Sequence, residues 1–310
     1  MPLVLATPPV SPPAEPSQWG TVRMVWIGPD GSRWDLNDWR AGLQLVREGV
    51  KGLHFPKISK SKSVSRSVPG FRLRGFRAES RDVFWPLYVY GDGSDEWRRI
   101  YDAFFATITP DRPGTWEVTA GLTTRRLQLT GVFDEEYSFT RDPLRKGWAI
   151  IPVSLEPENP FWMGDPVTTP EFGGEEPVDF IPADLGDPDY HPSPAASFSA
   201  ATIQNPGHVE AYLTWTVRAR EPVDAGDVIL GLGGVTAQIN IPMAADDVLV
   251  IDTDPRNVAA LLNGVDVTAQ LGLVEWAPLP SGVDVPLTVI GPAASATVQA
   301  SMVPLYYTAF

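Results

Sequence analysis

Cysteine is missing from this 310-residue chain. That excludes a disulfide framework and any thiolate metal site, so the fold must rest on burial and backbone pairing alone. Histidine is nearly missing too: His54, His191 and His208 are the only three, each in a turn-like or proline-flanked context. No His-Glu-x-x-His pair is present to hold zinc, and no Gly-x-Ser-x-Gly turn to present a nucleophilic serine. Gly231-Leu-Gly-Gly-Val lacks the later glycine and the following helix of a dinucleotide fingerprint and reads as a hairpin turn. Apolar runs stay well short of the roughly 18 residues that cross a bilayer, so membrane insertion is not expected. The first residues, Met1-Pro-Leu-Val-Leu-Ala-Thr-Pro-Pro, carry no basic leader and are broken by prolines. Export by a signal peptide is therefore not expected.

Basic residues are scarce in one half only. Residues 147–310 hold 3 Lys+Arg against 21 Asp+Glu, a net of −18, whereas residues 1–146 hold 21 against 17, a net of +4. The overall −14 argues against general nucleic-acid binding, because phosphate neutralisation supplies most of that affinity. A polarised chain of this kind meets different partners at its two ends.

Proline is abundant, with 32 residues. That is about twice the ~5% average usage, too much for a helical protein and suited to edges, turns and linkers. The length exceeds what one core fills, so two domains are expected. Residues 1–18 read as an extended N-terminal arm, 19–162 as a first domain, 163–198 as an acidic Pro/Gly-rich linker, and 199–310 as a second domain.

In the first domain, Thr21–Ile27 and Ser32–Leu36 flank the turn signal Gly28-Pro-Asp-Gly31 as a hairpin. Trp97, Ile100, Tyr101, Phe104, Phe105 and Ile108 recur at spacings of three and four. This predicts one helix from Ser94 or Asp95 to Ile108, with either residue capping its first amides and one face in the core. Strands follow at Trp116–Thr119, Arg125–Thr130 and Gly147–Leu155. Lys51 to Arg77 holds eight basic residues and no acidic one, and reads as a long exposed loop before Phe71–Phe76. Lys51, Lys57, Lys60, Lys62 and Arg66 are its candidate docking residues.

The last third has clear strand grammar. Leu213, Trp215 and Val217 alternate with threonines, as in a half-buried strand. Val228–Leu232 turns through Gly233-Gly234 into Val235–Ile241, Val248–Asp252 is a short buried strand, and Asn263-Gly264 joins two further strands. Short strands separated by such turns predict a two-sheet sandwich. The fold class is thus mainly β, with an α+β N-terminal domain and a β-sandwich C-terminal domain.

Carboxylates offer little chemistry. Glu135-Glu136, Glu175-Glu176 and Asp246-Asp247 are adjacent pairs, and neighbours on a strand point to opposite faces, so they do not make a glycosidase pair. Asp252 and Asp254 are weighed as calcium ligands and read as solvated turn residues. No enzymatic activity, cofactor or metal is expected.

The order of these signals resembles the distal tail proteins of bacteriophages with long, non-contractile tails. The resemblance runs from about Trp19 to the C-terminus. In the first domain it rests on the basic stretch, the strand before Gly91, the single amphipathic helix, Thr109-Pro-Asp-Arg-Pro-Gly114 and the closing Asn159-Pro-Phe-Trp162. In the second it rests on Asn205-Pro-Gly-His-Val-Glu-Ala211, Val250-Ile-Asp252 with Arg256, Asn263-Gly264 and Trp276-Ala-Pro-Leu-Pro-Ser-Gly282. What the resemblance implies is a structural virion protein, a hexameric ring joining the major tail tube protein to a tail tip or tail-associated protein. It also implies a galectin-like sandwich at the side, support for receptor-binding proteins, and a lumen through which genome DNA passes without specific binding. Assembly in the host bacterial cytoplasm goes with that reading. The alternative is a carbohydrate- or receptor-binding β-sandwich protein, with Trp162 and Trp276 as exposed aromatic platforms.

Overall fold

The computed structural model describes residues 22–46, 48–67, 69–134, 137–139, 141–173, 201–291 and 295–310. The arm at 1–18, most of the acidic linker, His191, and the pairs Glu135-Glu136 and Glu175-Glu176 lie outside the described residues. The protein is mainly β, as expected.

In the first body the chain runs β1 (Val22–Ile27), β2 (Arg33–Asp35), β3 (Leu43–Leu45), β4 (Ile58–Ser63), β5 (Arg72–Ala78), β6 (Val83–Tyr90), α1 (Ser94–Phe105), β7 (Gly114–Ala120) and β8 (Thr123–Val132). It continues through α2 (Pro143–Lys146), β9 (Trp148–Glu156) and β10 (Trp162–Met163). The main sheet is ordered β2-β1-β7-β8-β9-β6-β3. Strand β8 serves both halves: its residues Thr123 to Leu129 pair with β7, and Thr130 to Val132 pair with β9. Gly131 sits where the pairing changes hands; a Cβ there would meet Ile108 Cγ2 at 2.7 Å, so the close approach requires glycine.

The two halves of the sheet face each other across four tryptophans. Trp26 and Trp85 lie on strands that are not neighbours in the sheet, yet their ring centroids are 5.4 Å apart and nearly perpendicular. Trp85 meets Trp116 at 5.1 Å, and Trp116 meets Trp162 at 5.1 Å. Edge-on packing sets a positive ring edge on a negative face and adds about 0.5–1.5 kcal/mol per pair beyond burial. The chain of rings is tied at both ends: Trp26 Nε1 donates to Thr107 Oγ1 at 2.8 Å and Trp162 Nε1 to Gly52 O at 3.2 Å.

Helix α1 covers this core with Trp97, Ile100 and Phe104 buried, while Tyr101 and Phe105 are half-buried. Its ends differ from expectation. The last turn stops at Phe105, three residues early, because Thr107 Oγ1 donates back to Phe104 O at 2.6 Å and its own hydroxyl takes Trp26. Gly93 is the N-cap without a side-chain bond; Ser94 Oγ instead donates to Leu144 O, and Glu96 reaches back to accept Asp92 N–H at 2.7 Å. A glutamate in the first turn meets free amides and the positive end of the helix together.

The second body is a two-sheet sandwich. Here β11 (Val167–Thr168), β12 (Phe172–Gly173), β13 (Thr202–Gln204), β14 (Leu213–Ala219), β15 (Val228–Leu232) and β16 (Val235–Ile239) come first. They are followed by β17 (Val248–Asp252), β18 (Ala259–Leu262), β19 (Val265–Asp266), α3 (Thr268–Leu271), β20 (Asp284–Ile290), β21 (Ala296–Met302) and β22 (Leu305–Tyr306). One sheet is ordered β11-β21-β14-β17-β18-β19 with β12 beside β21, the other β13-β20-β15-β16. Leu213, Trp215 and Val217 from the first meet Leu230, Ile239 and Leu287 from the second in one core. At the β18–β19 turn, Asn263 and Gly264 hold φ of 51° and 82°, the left-handed pair that a two-residue hairpin needs.

Sequence boundaries shift at both ends of this body. Residues 163–173 belong by composition to the linker, yet β11 and β12 pair with β21 and complete the sandwich. The last residues belong by order to the second domain, yet β22 pairs with β10 and Ala309 is buried in the core of the first body. The same Leu305 carbonyl takes His208 N–H at 2.7 Å from the sandwich side. Strand β22 is thus shared by both bodies.

Arg81 pins this return. Its buried guanidinium donates to Pro160 O at 2.9 Å, Gly52 O at 2.7 Å, Tyr307 O at 2.7 Å and His54 O. Burial pulls it down to about 10, still charged at neutral pH. Arg81→Met keeps the stem and removes all the donors; Gly52 O keeps Trp162 Nε1, but three other carbonyls are left unpaired at roughly 1–3 kcal/mol each, so at least about 3 kcal/mol of stability should be lost. Thermal unfolding measures the loss, and carboxypeptidase should trim Leu305 to Phe310 from the variant faster than from the parent; equal melting and equal trimming would show that the guanidinium holds nothing.

Candidate assembly interface

The basic stretch is not a loop. Strands β4 and β5 form a separate two-stranded sheet, from Ile58↔Ala78 at the root to Ser63↔Arg72 near the tip. Lysine and serine alternate through Lys60-Ser-Lys-Ser63, a period-two pattern hidden beneath the charge. Register shifts between Ser61↔Gly75 and Lys62↔Leu73, leaving Arg74 as the extra residue of a bulge that increases the twist.

Opposed residues share a face, so the register sorts the side chains. Lys60 and Lys62 lie with Leu73 and Phe76; Ser59 and Ser61 lie with Arg77 and Gly75. Lys62 Nζ sits 4.3 Å over the Phe71 ring, which places Phe71 on the first face too. Phe71 and Phe76 are each 57% exposed and Leu73 51%. An isolated hairpin is marginal in water, and one that shows three large apolar side chains to solvent lacks a covering surface.

The five candidate residues separate. Lys60 and Lys62 stand together on β4, and Arg66 is exposed in the connection beyond it. Lys57 is at the root, engaged with Glu79 at 2.6 Å. Lys51 lies apart, bridged to Phe84 beside β6 with its ammonium 5.8 Å from that ring. Sequence reasoning missed the apolar half of the surface; the alternation of Phe71, Leu73 and the lysines was the available signal.

Other candidate groups turn out structural. Trp162 is 0% exposed and so is no sugar platform, whereas Trp276 is half-buried against the sandwich core. Asp254 is spent on Arg256, whose guanidinium holds that carboxyl below its usual range, and Asp247 accepts from Asn263 and Ala244. No cluster of three metal-ligating side chains occurs among the described residues. His208 packs its ring against Tyr306 and Tyr307 where β22 crosses. Between the bodies lies an open crevice of about 520 Å³, lined by Gln128, Glu158, Asn159, Asp252 and Arg256 among others.

Comparison with solved structures bears on the whole arrangement. The Dit protein of phage SPP1, described as a paradigm of the hub adsorption apparatus in phages infecting Gram-positive bacteria, superposes with a TM-score of 0.61. The match covers 92% of this chain and 99% of that one at 14% identity. The fold is that of a phage Dit protein. A chain of the phage P2 baseplate, in its activated conformation with Ca, matches the same Dit fold with a TM-score of 0.51 at 11% identity, covering 91% of this chain and 98% of that one. The corresponding structure with Sr scores 0.50. No protein-family model and no curated protein matches the sequence. At such identities the Dit fold is conveyed by burial pattern and strand order rather than by particular residues.

Within this Dit fold the hairpin root has its own pH window. Hydrogen bonds from Lys57 and Ser59 hold Glu79 below its ordinary 4.5, and Glu79 in turn raises Lys57 above 10.5. A lowered carboxylate contributes stability that is present above its unfolded value and lost as pH falls through the folded one; a raised amine loses its share as pH rises through the folded value. Protection of the amides of Ile58–Ser63 and Arg72–Ala78, relative to their intrinsic exchange at each pH, should therefore be greatest between these limits and fall as the pH drops below the ordinary 4.5 of Glu79. Unchanged exchange in a Glu79→Gln variant across that range would show the pair to be idle.

Proposed function

We propose that this chain is a structural component of a phage tail, a distal tail hub subunit whose first body forms a ring between the tail tube and the tail tip. The observation that carries the reading is the extent of the fold match, which covers 92% of this chain and 99% of the SPP1 Dit protein. The ring is hexameric, its lumen lets the genome pass, and the galectin-like sandwich stands at its side where host-adsorption proteins attach. Assembly takes place in the host cytoplasm, and the finished subunit resides in the virion.

The hairpin supports this reading physically. A ring needs two unlike surfaces per subunit, and a projecting cationic arm with an uncovered apolar face is one of them. The contact should bury at least about 1,000 Å² to be stable. The arm points to a neighbour or to the tube and not into the lumen, because a lysine-rich lining would hold passing DNA by counterion release.

Negative-stain images and solution mass of the purified protein, alone and mixed with its tail tube protein, test the proposal; a sixfold annulus is expected. Persistent monomers in both samples would overturn it. Lys57 is already neutralised by Glu79, so charge reversal belongs at Lys60 and Lys62. Lys60→Glu with Lys62→Glu should weaken ring formation or tube binding at least tenfold, a change of about 1.4 kcal/mol; normal assembly by that variant would remove the docking role from the arm.

A further inference from the structure

Six aromatic side chains form an open string along the seam between the bodies. His54 stacks on Phe55 at 5.7 Å, Phe55 meets Tyr307 at 5.5 Å, and Tyr307 meets both Phe161 at 5.8 Å and His208 at 5.9 Å. His208 in turn meets Tyr306 at 5.1 Å. Phe55 is 61% exposed, His54 and His208 are exposed, and Phe161, Tyr306 and Tyr307 are half-buried. Contiguous exposed rings of this kind mark a contact site. Phe161 also belongs to a crevice of about 400 Å³, with Val209, Tyr212 and Val303 among its walls. Charge borders the string: Arg125 lies 3.8 Å over the Tyr306 ring, and Lys57, two residues past Phe55, is held by Glu79. Glu210, Asp252 and Asp254 against Arg256 leave the crevice net negative.

The hydroxyls of Tyr212 and Tyr307 have no hydrogen-bond partner among the described residues. Aromatic walls with free donors are the surface that takes a polyproline II segment, because rings pack on pyrrolidines and that helix leaves its carbonyls without internal partners. Residues 1–21, outside the described residues, hold Pro9-Val-Ser-Pro12 and Pro13-Ala-Glu-Pro16. Prolines three apart share one edge of a polyproline II helix, and the proline ring fixes φ close to the value that helix needs.

We propose that the aromatic string receives the proline-rich N-terminal arm of the same chain, with Pro9 to Pro16 laid along the seam. Reach is the first argument. From β1 the sheet passes through β7, β8 and β10 to β22, which sets Tyr306 about 19 Å from Val22 across the strands and about 13 Å along them. Polyproline II rises 3.1 Å per residue, so the ten residues from Val22 back to Pro12 span about 31 Å, enough within one molecule. Charge is the second. The longer internal stretch outside the described residues, 174–200, holds six carboxylates and no Lys or Arg, and a net negative crevice repels it; the arm carries Glu15 alone. So placed, the arm crosses from Phe55 and Phe161 of the first body to His208 and Tyr212 of the sandwich, and it straps from outside the seam that Arg81 pins from within.

Val10→p-benzoylphenylalanine in the full-length chain, irradiated in dilute solution and mapped by peptide mass, tests the strap. The expected product is an intramolecular adduct at residues 54–55, 161, 208–212 or 303–307. It should be lost when Pro9→Gly, Pro12→Gly, Pro13→Gly and Pro16→Gly are combined, since the preformed helix goes with them. It should also diminish in Phe55→Ser, an exposed position at which an unchanged melting curve reports an intact fold. Adducts that join two chains give the site to a second copy's arm and overturn the same-chain occupant. Adducts at other surfaces, no adduct at all, or a yield that survives both variants overturn the aromatic site itself.

Discussion

Arg81 concentrates the constraint on which the rest depends. Its guanidinium meets four main-chain carbonyls from three separate stretches: the loop at Gly52 and His54, the seam at Pro160, and the tail at Tyr307. A planar fork with five donors can satisfy several carbonyls at fixed angles, which an ammonium on a flexible stem does less well. Those carbonyls belong to irregular backbone with no ladder to pair with, so the arginine stands in for secondary structure. Arg125 repeats the device one strand away, donating to Thr308 O at 2.8 Å with its guanidinium 3.8 Å over the Tyr306 ring.

Through that pin the hairpin root, the domain seam and the C-terminal return become one mechanical unit. Gly52 and His54, which precede the hairpin, share Arg81 with Tyr307 of the tail that spans both bodies. Such continuity matters because interfaces between domains within a chain are otherwise small enough to move. Trp162 serves the same end from inside: it joins the aromatic core, pairs through β10 with β22, and donates to the Gly52 carbonyl that Arg81 also uses.

Outside that unit the surfaces divide by chemistry. The ion pairs Arg23–Asp35 and Arg33–Glu117 on β1, β2 and β7 leave that part of the sheet content in water. The hairpin is the reverse, with Phe71, Leu73 and Phe76 exposed on well-formed strands and only the Lys62 ammonium over the Phe71 ring. Such exposure is a standing aggregation hazard, and strands retain it where another chain is to supply the cover.

Much of the fold was legible because it is periodic. The three-and-four spacing of Trp97 to Phe104 marked α1, and alternation around Trp215 marked the sandwich. The hairpin was illegible for a local reason: consecutive basic residues and serines read as a solvated loop when no buried face enforces the alternation. The helix ends depended on partners such as Leu144 and Trp26 that lie far along the chain.

Sequence alone marked the buried faces of α1 and of the strand around Trp215, since apolar spacing reports the period of the backbone that carries it. It also showed that the chain carries no thiol. Tertiary structure decided where the domains end, that the tail returns to the first body, and that lysines and phenylalanines 11 to 16 residues apart, from Lys60 to Phe71 and Phe76, share one face. Those are consequences of register and of hydrogen bonds between distant segments, and no local pattern of residues encodes a partner that the chain reaches only by folding.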